Sequence, residues 1–253
     1  MSSRDTPYDL IFGAPSFDEE RLVLLREQDA CRSTTPTDLF MLAAAGDLLR
    51  DLLPADDGAA PHAAVVSQVS SLMFHAYRFW LHGRHVYRFE AAALQPLLTG
   101  AAPAPEWRFR APGPAGYVQF PRNVIWARVS VDAAPEPVDG FFWSAPVAAG
   151  ERAARLDLLF ALGMRRGRPG LSLVDATVDM PATLDEAAVS QARPDGVDFA
   201  NVLPGGELQG YHALTTQAEA VRIAALCFWR IDTIPQPAPA TEGGNEVRVL
   251  EHG

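Results

Sequence analysis

The stretch that decides the fold is YVQFPRNVIWARVSVDAAPEPVDGFFWS, residues 117–144, where strand formers and large aromatics crowd into three short runs. The first two, Tyr117 to Phe120 and Val124 to Val131, are parted by Pro121, Arg122 and Asn123. That turn composition predicts an antiparallel hairpin. Asp139 and Gly140 introduce the third run, 141–144. Tyr117, Phe120, Trp126, Phe141, Phe142 and Trp143 read as sheet core, because aromatics suit a pleated, half-buried surface.

Working outward, Arg155 and Asp157 alternate with Leu156, Leu158, Phe160 and Leu162, and the run LSLVDATV returns after the turn 165–170. This is a second hairpin pattern. Before the block, residues 84–89 alternate as a half-buried strand would. The count is about six strands in a mainly antiparallel central sheet.

Helical signals lie on both sides of these strands. Ser16 with Glu19 is a capping box, and Thr35–Pro36 opens a helix over Leu39, Leu42, Leu49 and Leu53. Val65, Val69, Leu72, Ala76 and Trp80 keep helical spacing up to Gly83, a natural stop. A short piece over 94–98 is weakened by Pro96, and Thr183 with Glu186 caps another helix to about Gln191. Thr216 with Glu219 caps the last helix, whose Val221, Ile223, Leu226, Phe228 and Trp229 are apolar almost all round and predict deep burial. The expected architecture is therefore α+β: one domain over 1–234, with a central sheet flanked by N-terminal helices and a buried C-terminal helix. A Pro/Gly-rich tail is expected over 235–253.

The composition bounds function mostly by exclusion. At 253 residues and 48% hydrophobic content the chain can bury a substantial core. Its 21 basic against 31 acidic residues give a net charge of −10, so bulk coating of nucleic acid or anionic membrane is disfavoured unless a local arginine patch supplies contact. All the basic residues are arginine. Without lysine there is no internal Schiff base, P-loop lysine, kinase strand lysine or Ser-Lys dyad. Cys31 and Cys227 form no disulfide framework and no zinc site, which points to a reduced, cytoplasmic setting without cofactor or metal. The N-terminus lacks an apolar leader, and no apolar run approaches the roughly 18 residues that span a bilayer.

Several clusters carry possible chemistry. His75, His82 and His85 are the densest histidines and serve as candidate general bases or ligands. His75 and His82 are seven residues apart, about 10 Å along a helix axis, too far to share one ion unless the helix ends between them. Ser71 and His75 stand at i, i+4, but no nucleophile elbow surrounds Ser71. Asp175 and Asp179 lie about 13 Å apart on a strand, beyond the spacing of glycosidase carboxylate pairs. Asp195 and Asp198 read as turn residues. Arg165, Arg166 and Arg168 in GMRRGRPG form a compact basic turn suited to phosphate or carboxylate, while Gly163, Gly167 and Gly170 lack dinucleotide spacing. Trp107, Arg108, Phe109 and Arg110 interleave aromatics with guanidinium groups in the loop before the central block, a composition suited to gripping a peptide or stacking on bases.

Taken in order, FWLHGRHVYRFEAAAL, GYVQFP with RNVIWARV, PVDGFFW, RLDLLFAL and VRIAALCFWRID resemble the N-terminal two-thirds of a type V anti-CRISPR family of phages and plasmids. The resemblance covers roughly Leu72 to Asp232. It implies a shared fold and a regulator that suppresses effector-nuclease biogenesis by recognising the nascent chain. Long members of that family continue into a basic segment with His and Trp, whereas this chain ends in PQPAPATEGGNEVRVLEHG, so what the resemblance implies here is the fold rather than the activity. The expected function is non-enzymatic: binding of a protein or peptide partner through Trp107, Arg108, Phe109, Arg110 and the arginine turn. The alternatives are a metal-dependent or histidine-based hydrolase using His75, His82 or His85 with a carboxylate from elsewhere, and a phosphate-ligand or nucleic-acid regulator using the Arg165, Arg166 and Arg168 turn.

Overall fold

The computed structural model describes residues 7–12, 63–100, 103–104, 106–108, 110–127, 134–145, 155–163, 172–179, 212–214, 217–235, 237–242 and 244–251, with five positions between 20 and 27. These residues form an α+β arrangement around a mixed sheet. Helix α1 spans Pro7–Phe12 and α2 spans Ala63–Leu81. The apolar spacing over 64–80 is thus realised, and α2 ends where Gly83 adopts φ 93°. There the Arg84 amide donates to the Phe79 carbonyl and the Gly83 amide to the Trp80 carbonyl. This double closure satisfies the last carbonyls of the helix and needs a left-handed residue.

The chain then enters β1 (His85–Phe89), α3 (Ala91–Thr99) and β2 (Ala115–Gln119). Pro96 sits inside α3, yet Ala93, Leu94 and Leu97 are buried. Packing outweighs the local penalty. Strands β1 and β2 are parallel, in register Val86 with Tyr117. A parallel pair requires a crossover, which α3 and its loop supply. After β3 (Ile125–Ala127), β4 (Glu136–Ser144), β5 (Arg155–Leu162) and β6 (Ser172–Asp179) come β7 (His212–Leu214) and α4 (Gln217–Thr233). The strands β8 (Ala240–Glu242) and β9 (Asn245–Leu250) follow. The sheet order is β6-β5-β4-β2-β1-β9-β8, with β3 and β7 beside this path.

Three expectations need correcting. The hairpin predicted within 117–131 does not form: β2 pairs with β4 through Tyr117–Phe142, and β3 pairs with the same edge of β4 through Trp126–Pro137. Pro121 to Asn123, with Asn123 at φ 63°, loop the chain out and return it in the same direction. The two runs are one interrupted strand rather than two arms of a turn. The sheet path has seven strands rather than six, and although most pairs are antiparallel, β1 is parallel to both β2 and β9. The expected tail contains β8 and β9, and β9 pairs with β1 over five residues. Glu242 pairs with Asn245 at the closed end of the β8–β9 hairpin, where Gly244 adopts φ 82°. The helices expected around 39–53 and 183–191 lie outside the described residues.

Alternation along β4 separates two apolar layers. Phe141 and Trp143 meet Phe228 of α4 at ring distances of 5.8 and 5.4 Å. Phe142 faces the other way, 5.7 Å from Phe79 and 6.5 Å from His75 on α2. Helix α1 joins that second layer through Tyr8, whose ring lies 5.3 Å from that of Tyr117. The sheet is covered by α2 and α1 on one face and by α3 and α4 on the other, as the buried α4 residues Val221, Ile223, Leu226 and Phe228 predict.

Candidate functional site

The structure divides the three histidines. His75 is 2% exposed inside the α2 layer, and its Nδ1 has no hydrogen-bond partner. Burial depresses its pKa to about 4; Asp157 opposes this and Arg78 adds to it. Strand register sets Ser144 directly opposite Asp157, and the Arg78 Nε donates to Ser144 Oγ at 3.3 Å. A hydroxyl, an imidazole and a carboxylate therefore share one region, the residue types of a hydrolase triad. Ser144 is wholly buried, however, and its oxygen accepts a guanidinium N–H. A substrate would have to part α2 from the sheet to reach it, so this network is better suited to fixing α2 on the strands.

His82 and His85 lie beyond the end of α2, at the rim. His82 has a lowered pKa, first from burial and then from Arg78 and His85, and its Nε2 is buried without a partner. His85 Nδ1 is 3.4 Å from Glu246, which also pairs with Arg248 at 2.9 Å. Among the described residues no three His, Cys, Asp or Glu side chains are placed to hold a metal ion.

The loop before β2 is organised differently. The Trp107 amide donates to the Ala104 carbonyl at 2.9 Å, and its indole packs, partly buried, against the core. Arg108, extended in a bridge position, is exposed. Arg110 reaches Asp232 with one nitrogen on both carboxylate oxygens, at 2.6 and 2.9 Å. That ion pair ties the loop to the C-terminal end of α4. One helical turn back from Asp232 stands Trp229, also partly buried against the core. The ion pair thus joins the loop that carries Trp107 to the helix end that carries Trp229.

Of the loop residues, Arg110 is thus brought together with Asp232, at the end of a helix that the sequence pattern had read only as buried core and that also carries Trp229. The signal for them was the change from apolar to polar at 232–233, which marks where α4 leaves the core. Phe109 and the turn carrying Arg165, Arg166 and Arg168 lie outside the described residues. No helix among the described residues is long and apolar enough to cross a membrane. No family model, curated protein or solved structure matches this chain.

Proposed function

We propose that this protein acts by binding a protein or peptide partner through the surface where Arg110, with Trp107 and Arg108 on the same stretch, is tied to the end of α4. The observation that carries the reading is the Arg110–Asp232 pair, which ties a loop carrying a partly buried Trp107 and an exposed Arg108 to the helix end carrying a partly buried Trp229. Tryptophan and arginine are the residue types that dominate interface energetics. A loop already held by the core and by an ion pair has little left to order on binding, which lowers the cost of association. The resemblance to a mobile-element regulator family favours the same class of function, a binding protein of phage or plasmid type, without carrying over that family's target.

The test is affinity capture from the source cells with the full chain as bait, comparing wild type with Arg108→Glu and Trp229→Ala. One partner should be recovered near stoichiometry by wild type and about tenfold less by each variant, the loss typical of an interface hot spot. A partner recovered equally by all three proteins would sink the reading. Stoichiometric zinc, manganese or iron in the purified protein would instead favour the hydrolase alternative.

A further inference from the structure

On the sheet face away from α4, the chain holds a segment of itself in the way a binding site holds a ligand. Helix α1 is only six residues long, and it buries Tyr8 and Ile11. The Tyr8 ring packs on both Phe79 of α2, at 5.5 Å, and Tyr117 of β2, at 5.3 Å. Phe142 completes the aromatic wall, 5.7 Å from Phe79 and 4.6 Å from Tyr117. Arg88 of β1 hydrogen-bonds the Tyr8 side chain. The same guanidinium is fixed from two other strands: its Nε donates to Gln119 Oε1 at 2.8 Å, and its two Nη atoms donate to Glu242 at 3.2 and 2.7 Å. Aromatic walls that end in a fixed cation are complementary to a phenol, which is apolar along its ring and polar at its tip. We propose that this slot is a recognition site for a tyrosine-bearing peptide segment, and that α1 is the strap that keeps it closed.

The strap is separable from what it covers. Strand β2 is paired with β1 and β4, and β1 with β2 and β9, so the strands that α1 touches keep their hydrogen bonds when it lifts. A helix this short gains little from its own backbone bonds and depends on the few side chains it buries. It opens at a cost well below that of global unfolding. Helix α1 also leaves part of the slot unmet. The Tyr117 hydroxyl is wholly buried without a hydrogen-bond partner, in the field of Asp139 on β4 and of Tyr8 and Asp9 on α1. Negative charge is already present there, so a neutral acceptor carried in by another segment makes a bond to that hydroxyl which α1 does not make. Because α1 competes from within the same chain, it lowers the apparent affinity for any external segment by the fraction of molecules in which the slot is open. Recognition of the hydroxyl sets the specificity, since a phenylalanine in the slot would leave Arg88 one acceptor short.

The experiment uses the full chain and a fluorescein-labelled peptide of residues 2–14, SSRDTPYDLIFGA, read by fluorescence anisotropy. Tyr8→Ala vacates the slot within the chain. That variant should bind the peptide saturably and about tenfold more tightly than wild type does, while the same peptide carrying Tyr8→Phe should bind it about tenfold more weakly. Equal affinity of the two proteins for the peptide, or of the variant for the two peptides, overturns the proposal. A Tyr8→Ala variant that keeps the circular dichroism of wild type and binds neither peptide overturns it as well. Ile11→Ala, which weakens α1 while leaving Tyr8 in place, gives a second reading that does not depend on the first variant folding. It should also bind the peptide more tightly than wild type, and an unchanged affinity overturns the strap. Dimerisation of wild type that Tyr8→Ala abolishes assigns the slot to α1 of a second copy and overturns an external partner.

Discussion

His75 makes the stability of this fold sensitive to mildly acidic pH. Its imidazole is buried between α2 and the sheet, among Phe74 and Phe142, with Asp157 of β5 and Arg78 of α2 as the charged groups acting on it. Its folded-state pKa of about 4 lies below the ordinary 6.5. Between these values the unfolded chain takes up a proton that the folded chain refuses, so stability falls as pH falls. At 1.36 kcal/mol per pH unit the full loss is about 3 kcal/mol, of which about 2 kcal/mol is gone by about pH 5. This is large against a typical total of about 5–15 kcal/mol. Urea unfolding followed by fluorescence from pH 8 to pH 4.5 measures it, and His75→Leu is the control because it fills similar space without a titrating group. Carboxylates elsewhere contribute equally to both proteins and cancel in the difference. Wild type should lose stability relative to His75→Leu as pH drops through 6.5. A difference between the two that stays flat across that range would refute the buried, neutral imidazole.

Other consequences follow from single contacts. A Cβ on Gly116 would fall inside the Trp143 ring, which is held by its Nε1 donating to the Gly113 carbonyl at 3.0 Å. Gly116→Ala should therefore cost about 1–3 kcal/mol in chemical denaturation, as overpacking does. Removing residues 240–253 exposes β1 and deletes the buried Val247 and Leu250; calorimetry of that truncation should show no cooperative transition. The Cys227 thiol is wholly buried and its pKa is pushed far up by burial, so peptide mapping should find it unlabelled by thiol reagents except under unfolding conditions. Arg110→Ala removes a largely exposed ion pair and should change stability by less than about 1 kcal/mol, while weakening partner capture by loosening the loop.

The parts of the fold legible in the sequence were those with local causes. Helix α2 and its Gly83 stop, the β5–β6 pair and the apolar α4 all follow from periodicity and capping within a few residues of each other. What periodicity does not encode is direction and partner. Tyr117 pairs with Phe142 and not across Pro121–Asn123, because β4 offers one continuous edge long enough for both β2 and β3. The C-terminal strands were hidden for another reason. Pro235, Pro237 and Pro239 dominate the composition there, and the hairpin signal in EGGN is only four residues long. Its strand is secured by β1, about 160 residues earlier in the chain, a separation at which no local pattern reports.

The same distinction governs the candidate surface. WRFR stands out because aromatics and arginines alternate within four residues, but what the loop is fixed to depends on Asp232, 122 residues away. In sequence Asp232 is merely the polar residue after an apolar helix, and Trp229 is one more core position. Only when α4 crosses the sheet beneath the loop does the helix end become a clamp and its last tryptophan part of a surface. The converse holds for His75: as one of the clustered histidines His75, His82 and His85 it resembled a site, and the fold encloses it in aromatic packing beside a Ser144 that has no exposed surface. Local chemistry proposed both sites, and the layering of helices over the two sheet faces decided that His75 is enclosed while Arg108 stays exposed.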